Sequence, residues 1–286
     1  MTADRRRDDI AAYVTQRGEA RIDDLVAAFG VSRMTIHRHV EELARQGVLR
    51  KLHGAVSAQP SGVYESLFRF RETRNAPAKQ ALARAALAEV AAGQVIALDD
   101  STTVNALAPL LADRGPLTVA TNSLTALQAL AGADDLHLIA LGGDYHPTYH
   151  AFIGHLCETL LAQLRVNLLI CSASAISGTA ALIQDPQVVR VKQAMHRAAS
   201  RRVLLVDSSK FGKVALHLFA DLTDFDAVYT DDGLPRDRAT ADFGWRAPED
   251  RDPRMTQTQD FDVLILGAGI NGRACSATSA NRGCGA

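Results

Sequence analysis

Apolar positions along the chain fall into three regimes. Between residues 20 and 56 they recur at helical spacing in ARIDDLVAAFGVSRMTIHRHVEELARQGVLRKLHGAV. Ile22, Leu25 and Val26 make one stripe, which Phe29-Gly30-Val31 closes at a glycine suited to a left-handed helix end. Ser32 is placed to cap the next helix, because its hydroxyl can accept a free amide proton of the first turn. In that helix Ile36, Val40 and Leu43 share an inward face, and a basic hairpin comes after it. From residue 78 the pattern changes to short apolar runs alternating with helical stretches. It predicts strands at residues 95–98, 117–120, 136–141, 168–171, 203–206 and 227–230. Helices are predicted at residues 78–91, 104–111, 124–130, 153–164 and 188–199. Such alternation marks an α/β domain with an open, mainly parallel sheet. After residue 240 a polar, proline-containing stretch leads into FDVLILGAGING, a strand running into a glycine turn.

A chain of 286 residues is long enough for two separate cores. The pattern divides it into a helix-turn-helix domain (residues 1–58), a linker (59–77), an α/β domain (78–235), a second linker (236–254) and a dinucleotide-binding-like fragment (255–286).

The second helix carries the first candidate chemistry. Arg33, Thr35, His37 and Arg38 point away from its apolar back, and Ser32 stands at its start. Arg50, Lys51 and His53 lie in the hairpin. A helix-turn-helix needs this division, with an apolar back and donors near the helix N-terminus that reach base edges in the major groove. A solvated outer face would also be charged, but here the cap, the turn glycine and the donors fall in one register. Net charge is −1, yet residues 31–58 hold five Lys/Arg and three His against two acids. A local basic patch on a near-neutral body suits specific, reversible DNA binding. Arg5-Arg6-Arg7, with Asp8-Asp9 directly after, reads as the solvated start of the first helix with some phosphate contact.

The second candidate site comes from the polar residues at the end of each strand of the α/β domain. In order these are Asp99-Asp100-Ser101-Thr102-Thr103, Thr121-Asn122-Ser123, Gly142-Gly143, Ser172-Ala173-Ser174, Asp207-Ser208-Ser209-Lys210 and Asp231-Asp232. Ligands of open α/β folds bind at the carboxyl ends of the strands. A Ser-Thr-Thr turn entering a helix offers hydroxyls and amide protons to a phosphate. Lys210 supplies charge, and Asp99 is a candidate for holding sugar hydroxyls. Any one such loop is ordinary turn chemistry; their recurrence at one end of the sheet favours a polar small-molecule site.

Other classes are disfavoured. No run of 18 apolar residues is present, so no membrane span is expected. MTADRRRDDI has no apolar signal core, which points to a cytoplasmic protein. Cys157, Cys171, Cys275 and Cys284 are scattered, as reduced thiols would be. Pro147 separates His146 from His150, and no acid is clearly paired with them or with His155. They read as loop or pocket-rim histidines, and neither a metal nor a cofactor is expected.

Val31-Ser32, Thr35-Ile36-His37-Arg38 and Arg50-Lys51-Leu52-His53-Gly54-Ala55 resemble the N-terminal motifs of the DeoR/GlpR family of bacterial transcription regulators. That family usually has arginine at His37 and a second glycine at Ala55. Residues 98–103, 119–123, Leu141-Gly142-Gly143 with Gly154, Val191-Lys192 and residues 207–212 are similar to the family's sensor domain, and Lys79 matches a position that is usually lysine. The departures are Asp100 and Ser101, where the family usually carries serine and glycine, and Ala175, where it usually carries glycine. The resemblance implies a winged helix-turn-helix joined to a domain similar in fold to sugar-phosphate isomerases, with a phosphorylated sugar or polyol as effector. Lys79, Asp99, Ser101, Thr102, Thr103, Thr121, Asn122 and Lys210 are then the candidate ligand residues. From Met255 the chain resembles the first residues of flavin-dependent glycerol-3-phosphate dehydrogenases. Only 14 residues come after Gly272, so the acidic ribose ligand expected about 20 residues on is missing and no flavin should bind. The fragment reads as a neighbouring reading frame joined on and cut short, which suggests glycerol 3-phosphate as effector. The sheet lacks a closing strand after Asp232, and residues 261–266 are expected to add to its open edge or pack on its surface.

The reading is therefore a homo-oligomeric, non-enzymatic regulator that holds operator DNA as a repressor. The alternative is a sugar-phosphate isomerase-like enzyme with an appended DNA-binding domain.

Overall fold

The computed structural model describes residues 3–45, 48–57, 68–234 and 263–266. The polar stretch 236–254, the glycine fingerprint 267–272, Cys275 and Cys284 lie outside the described residues. The chain divides into two compact units, Met1–Thr73 and Arg74–Ala286.

In the first unit α1 (Ala3–Arg17), β1 (Glu19–Arg21), α2 (Ile22–Phe29) and α3 (Arg33–Arg45) precede a hairpin of β2 (Arg50–Lys51) and β3 (Ala55–Ser57). The order β1-β3-β2, antiparallel throughout, makes a small wing sheet, whose first strand the apolar pattern does not announce. Gly30 ends α2 at φ 61° and donates its N–H to the Val26 carbonyl, so the tight turn rests on a residue free to be left-handed. Ile10, Val14, Leu25, Ile36, Val40, Leu43 and Val56 form the core and are fully buried. A further helix, α4 (Phe68–Thr73), falls within the residues expected to be linker.

The second unit opens with α5 (Ala76–Ala86), two residues earlier than the apolar pattern places it. Its parallel strands are β4 (Val95–Leu98), β5 (Leu117–Thr121), β6 (Leu136–Ala140), β9 (Val166–Cys171), β12 (Ala199–Leu205) and β14 (Ala227–Asp231). All six expected strands are present. The order β14-β12-β9-β4-β5-β6 places the first three strands on one side and the later three on the other. Connectivity therefore reverses between β4 and β9, where an open α/β sheet leaves its binding crevice. Successive strand residues go to opposite faces: Ile96, Leu168, Val203 and Tyr229 to one core, and Ala97, Leu169, Leu204 and Val228 to the other. The helices are α6 (Thr102–Asn105), α7 (Ala108–Leu111), α8 (Leu124–Leu130), α9 (His155–Gln163) and α10 (Pro186–Ala198). α6 and α7 replace the single helix expected over residues 104–111; Pro109, near the start of α7, cannot donate to a continuing ladder.

Two additions are not announced by the apolar pattern. A hairpin of β7 (Asp144–His146) and β8 (Ala151–Ile153) carries the first two histidines of the cluster. A separate antiparallel sheet is formed by β10 (Ala175–Ser177), β11 (Ala180–Ile183) and β13 (His217–Asp221). Finally, β15 (Val263–Leu266) pairs antiparallel with β14, Val228 opposite Leu266 and Asp231 opposite Val263, so the expected edge addition is present over those four residues. Among the described residues no helix is long and apolar enough to cross a membrane, and no group of three or more His, Cys, Asp or Glu is placed to hold a metal.

Candidate functional site

Ser32 caps α3: its Oγ accepts the Thr35 N–H at 3.2 Å and lies 2.9 Å from Thr35 Oγ1. The Thr35 hydroxyl, expected to face DNA, is thus engaged with the cap. Arg33 pairs with Asp23 at 2.9 Å and Lys51 with Glu41 at 3.0 Å, both at the surface, where such pairs are weak and easily exchanged for phosphate. Arg38, Arg50 and His53 are exposed, and His37 is half-buried. His39 corrects the count of basic groups. It is buried in the α3 face that meets the core, and its pKa is lowered first by burial and then by repulsion from Arg38, Arg6 and Arg7. It belongs to the packing of the unit rather than to its basic surface.

In the second unit the loops after β4 and β9 meet at the sheet's switch point. Asp99, fully buried, accepts N–H bonds from Ser101 at 2.9 Å and Ser172 at 2.8 Å, and its Oδ2 takes a further bond from Lys192 Nζ. Lys192 also donates to the Ser172 carbonyl at 3.2 Å and stands 3.6 Å from Asp100 Oδ1. Burial alone would lower the Lys192 pKa, but the charges of Asp99 and Asp100 outweigh it and hold the amine above the ordinary lysine value. Asp99 is therefore the post that ties two loops to α10. Asp100 is buried beside the same amine.

Ser101 Oγ accepts the Val104 N–H at 3.1 Å, capping α6. Lys79, buried on α5, donates to Thr102 Oγ1 at 2.9 Å, so two expected ligand residues 23 positions apart are brought together. Thr103 is buried beside them. Thr121 Oγ1 accepts the Ser123 N–H at 3.1 Å, and Asn122 Nδ2 donates to the Phe152 carbonyl at 3.0 Å. Thr121 holds the turn of the β5 loop, and the Asn122 amide ties that loop to β8. Asn122 Oδ1, however, is buried with no hydrogen-bond partner among the described residues. Gly143 is required here: at φ 138° an added Cβ would lie 2.3 Å from the Ile153 carbonyl oxygen.

At the end of β12, Asp207 accepts from Asn75 Nδ2 at 2.8 Å and from the hydroxyl of Ser209. Burial would raise its pKa, but the Ser209 hydroxyl, the Lys210 charge, Asn75 and Lys79 together lower it. Nearby, Lys213 has its pKa lowered first by burial and then by Arg74 and Lys210. Lys79 and Lys210 thus act on the Asp207 carboxylate, and Arg74, Lys210 and Asp207 act on Lys213. The apolar pattern misses Arg74, Asn75 and Lys213, because two of them precede the first helix and the third comes after a 3-10 turn; only their polarity marks them.

Residues 6–61 match the DeoR-like helix-turn-helix domain and residues 74–232 match the DeoR C terminal sensor domain. The chain belongs to the DeoR family. It is a DNA-binding transcriptional regulator. It is 35% identical over 227 residues to the L-fucose operon activator of Haemophilus influenzae, covering 79% of this chain and 91% of that one. It is 30% identical over 232 residues to the glycerol-3-phosphate regulon repressor of Escherichia coli, covering 81% and 92%. Among solved structures, a D-ribose-5-phosphate isomerase in complex with phospho-erythronic acid aligns at 14% identity and a TM-score of 0.36, covering 47% of this chain and about half (53%) of the enzyme. That likeness is too slight to argue from.

Proposed function

We propose that this DeoR-family protein represses a sugar or glycerol-phosphate catabolic operon and is released from its operator by a phosphorylated sugar or polyol. The observation that carries this reading is the polar set at the carboxyl end of the sheet, where Lys79 donates to Thr102 at 2.9 Å and Asn75 to Asp207 at 2.8 Å. Lys79 and Lys210 both act on Asp207, and a dianionic phosphate suits such a cationic setting. The Ser101–Thr103 turn lies beside Lys79, and the unpartnered Asn122 Oδ1 offers an acceptor to a ligand hydroxyl. Lys192, with Asp99, sets the floor of the crevice by holding the β4 and β9 loops. The named relatives regulate L-fucose and glycerol-3-phosphate genes, and the residues from Met255 resemble a glycerol-3-phosphate dehydrogenase, which makes glycerol 3-phosphate the first effector to test. The protein works as a homo-oligomer in this reading, since paired half-sites need paired reading helices. The exposed Val214, Leu216 and Leu218, alternating along β13 and the approach to it, offer an apolar surface for a second copy.

Titration of operator DNA with and without a panel of phosphorylated sugars and glycerol 3-phosphate tests the proposal. A response lies within the usual coupling range of about 1–3 kcal/mol. Lys210→Ala is expected to lose the effector response while operator affinity stays nearly unchanged. A full response in that variant places the phosphate elsewhere. Turnover of a sugar phosphate by the chain would favour the isomerase-like alternative.

A further inference from the structure

The reading helix presents one residue that the charge-based account leaves unused. Met34 is 82% exposed, the most exposed large apolar side chain among the described residues. It is the second residue of α3, in the turn where helix-turn-helix proteins touch base edges. At about 100° per residue, Met34 and Arg38 stand roughly 160° from the buried Ile36–Val40–Leu43 face, four residues apart and stacked on the outermost line of the helix. The neighbours of Met34 are engaged: Thr35 Oγ1 lies 2.9 Å from Ser32 Oγ, and Arg33 is 2.9 Å from Asp23. The leading edge of α3 is thus one cation and one thioether.

A thioether donates no hydrogen bond and accepts only weakly, so it matches none of the polar features of a base edge. The major groove holds one apolar feature, the C5 methyl of thymine. We propose that Met34 reads a thymine through that methyl, adjacent to the base or phosphate met by Arg38, and so fixes one position of each operator half-site. A flexible, polarizable side chain adapts to the methyl with little loss on binding. The inference rests on α3 being the helix that enters the groove.

The test begins with in vitro selection of an operator by the full chain, and each thymine is then replaced singly with uracil. Uracil keeps every hydrogen-bonding group and removes only the methyl. At one thymine per half-site, wild-type binding should weaken about fourfold, the factor expected for one apolar carbon left unburied. Met34→Ala should bind the thymine operator more weakly by a comparable factor and show no further loss with uracil at that position. Its salt dependence should match wild type, because no phosphate contact is removed. The exposed position makes the variant safe for folding, and thermal melting confirms this. An operator with no methyl-sensitive thymine overturns the proposal alone, as does a uracil penalty that persists undiminished in Met34→Ala. Failure to select any operator overturns the groove assignment and the proposal with it.

Discussion

Lys192 shows how much of a site depends on one side chain's burial rather than its type. As a residue of a helix stretch it is ordinary in the chain, and only the resemblance of Val191-Lys192 to the family marks it. In the structure it is the cation set against two buried carboxylates, Asp99 and Asp100, where the family usually has only the first. The extra acid is therefore buried beside the amine, 3.6 Å from it. Removing that amine leaves two charges in a dry site. Lys192→Met is expected to lower stability by about 3–5 kcal/mol, read as a shift of the urea midpoint. Restoring the family serine with Asp100→Ser in that background should recover part of the loss. No change in midpoint for Lys192→Met would show that the ion pair contributes nothing to the fold.

At the scale of elements, legibility in the sequence depends on burial and length. The six parallel strands can be read because a continuous apolar run is needed to bury both faces of a parallel sheet, whereas β11 and β13, in a partly exposed antiparallel sheet, show no such run. The three-residue strands β1, β7, β8 and β10 cannot be read, because three residues are too few for an alternation to show. Departures from the family's glycines are also unreadable in advance. Ala55 starts β3 opposite Arg21, and Ala175 starts β10 opposite Leu182; both are ordinary extended residues, while Gly54 at φ 71° takes the wing turn. The contact of α1 with α3 is hidden for another reason. In the sequence His39 counts among the basic groups of the DNA-binding patch, yet it is buried where Arg38, Arg6 and Arg7 all disfavour its charge. A histidine with a lowered folded pKa adds stability above its unfolded value of 6.5, and that stability is lost as pH falls through the folded value. The winged helix should thus melt at a lower temperature at pH 5 than at pH 7.5. His39→Leu, which fills the site without a titratable group, should narrow that difference in a scan monitored by circular dichroism. An equal pH dependence in the variant would place the acid sensitivity elsewhere.

At the scale of the whole molecule, the parallel sheet of the second unit takes residues 263–266 as an edge strand. The six parallel strands end at β14, whose five residues are all buried, and β15 pairs along it in the opposite sense. A parallel sheet with helices on its faces still has two edges, and an unpaired edge strand invites pairing with another chain. Addition of β15 satisfies the outer backbone groups of residues 228–231 over a register of four residues. The contribution of this segment is then structural, and no flavin should be found with the purified protein. Deleting residues 255–286 separates the two contributions. The shortened protein should still bind operator and respond to effector, because residues 6–61 and 74–232 carry both family domains. Its β14 edge would be bare, so its melting temperature should fall by several degrees, at about 2–4 °C for each kcal/mol lost in a domain of this size. Light scattering on heating should rise as exposed edges pair between molecules. An unchanged melting temperature with no added scattering would mean that β15 lies on the edge without stabilising it.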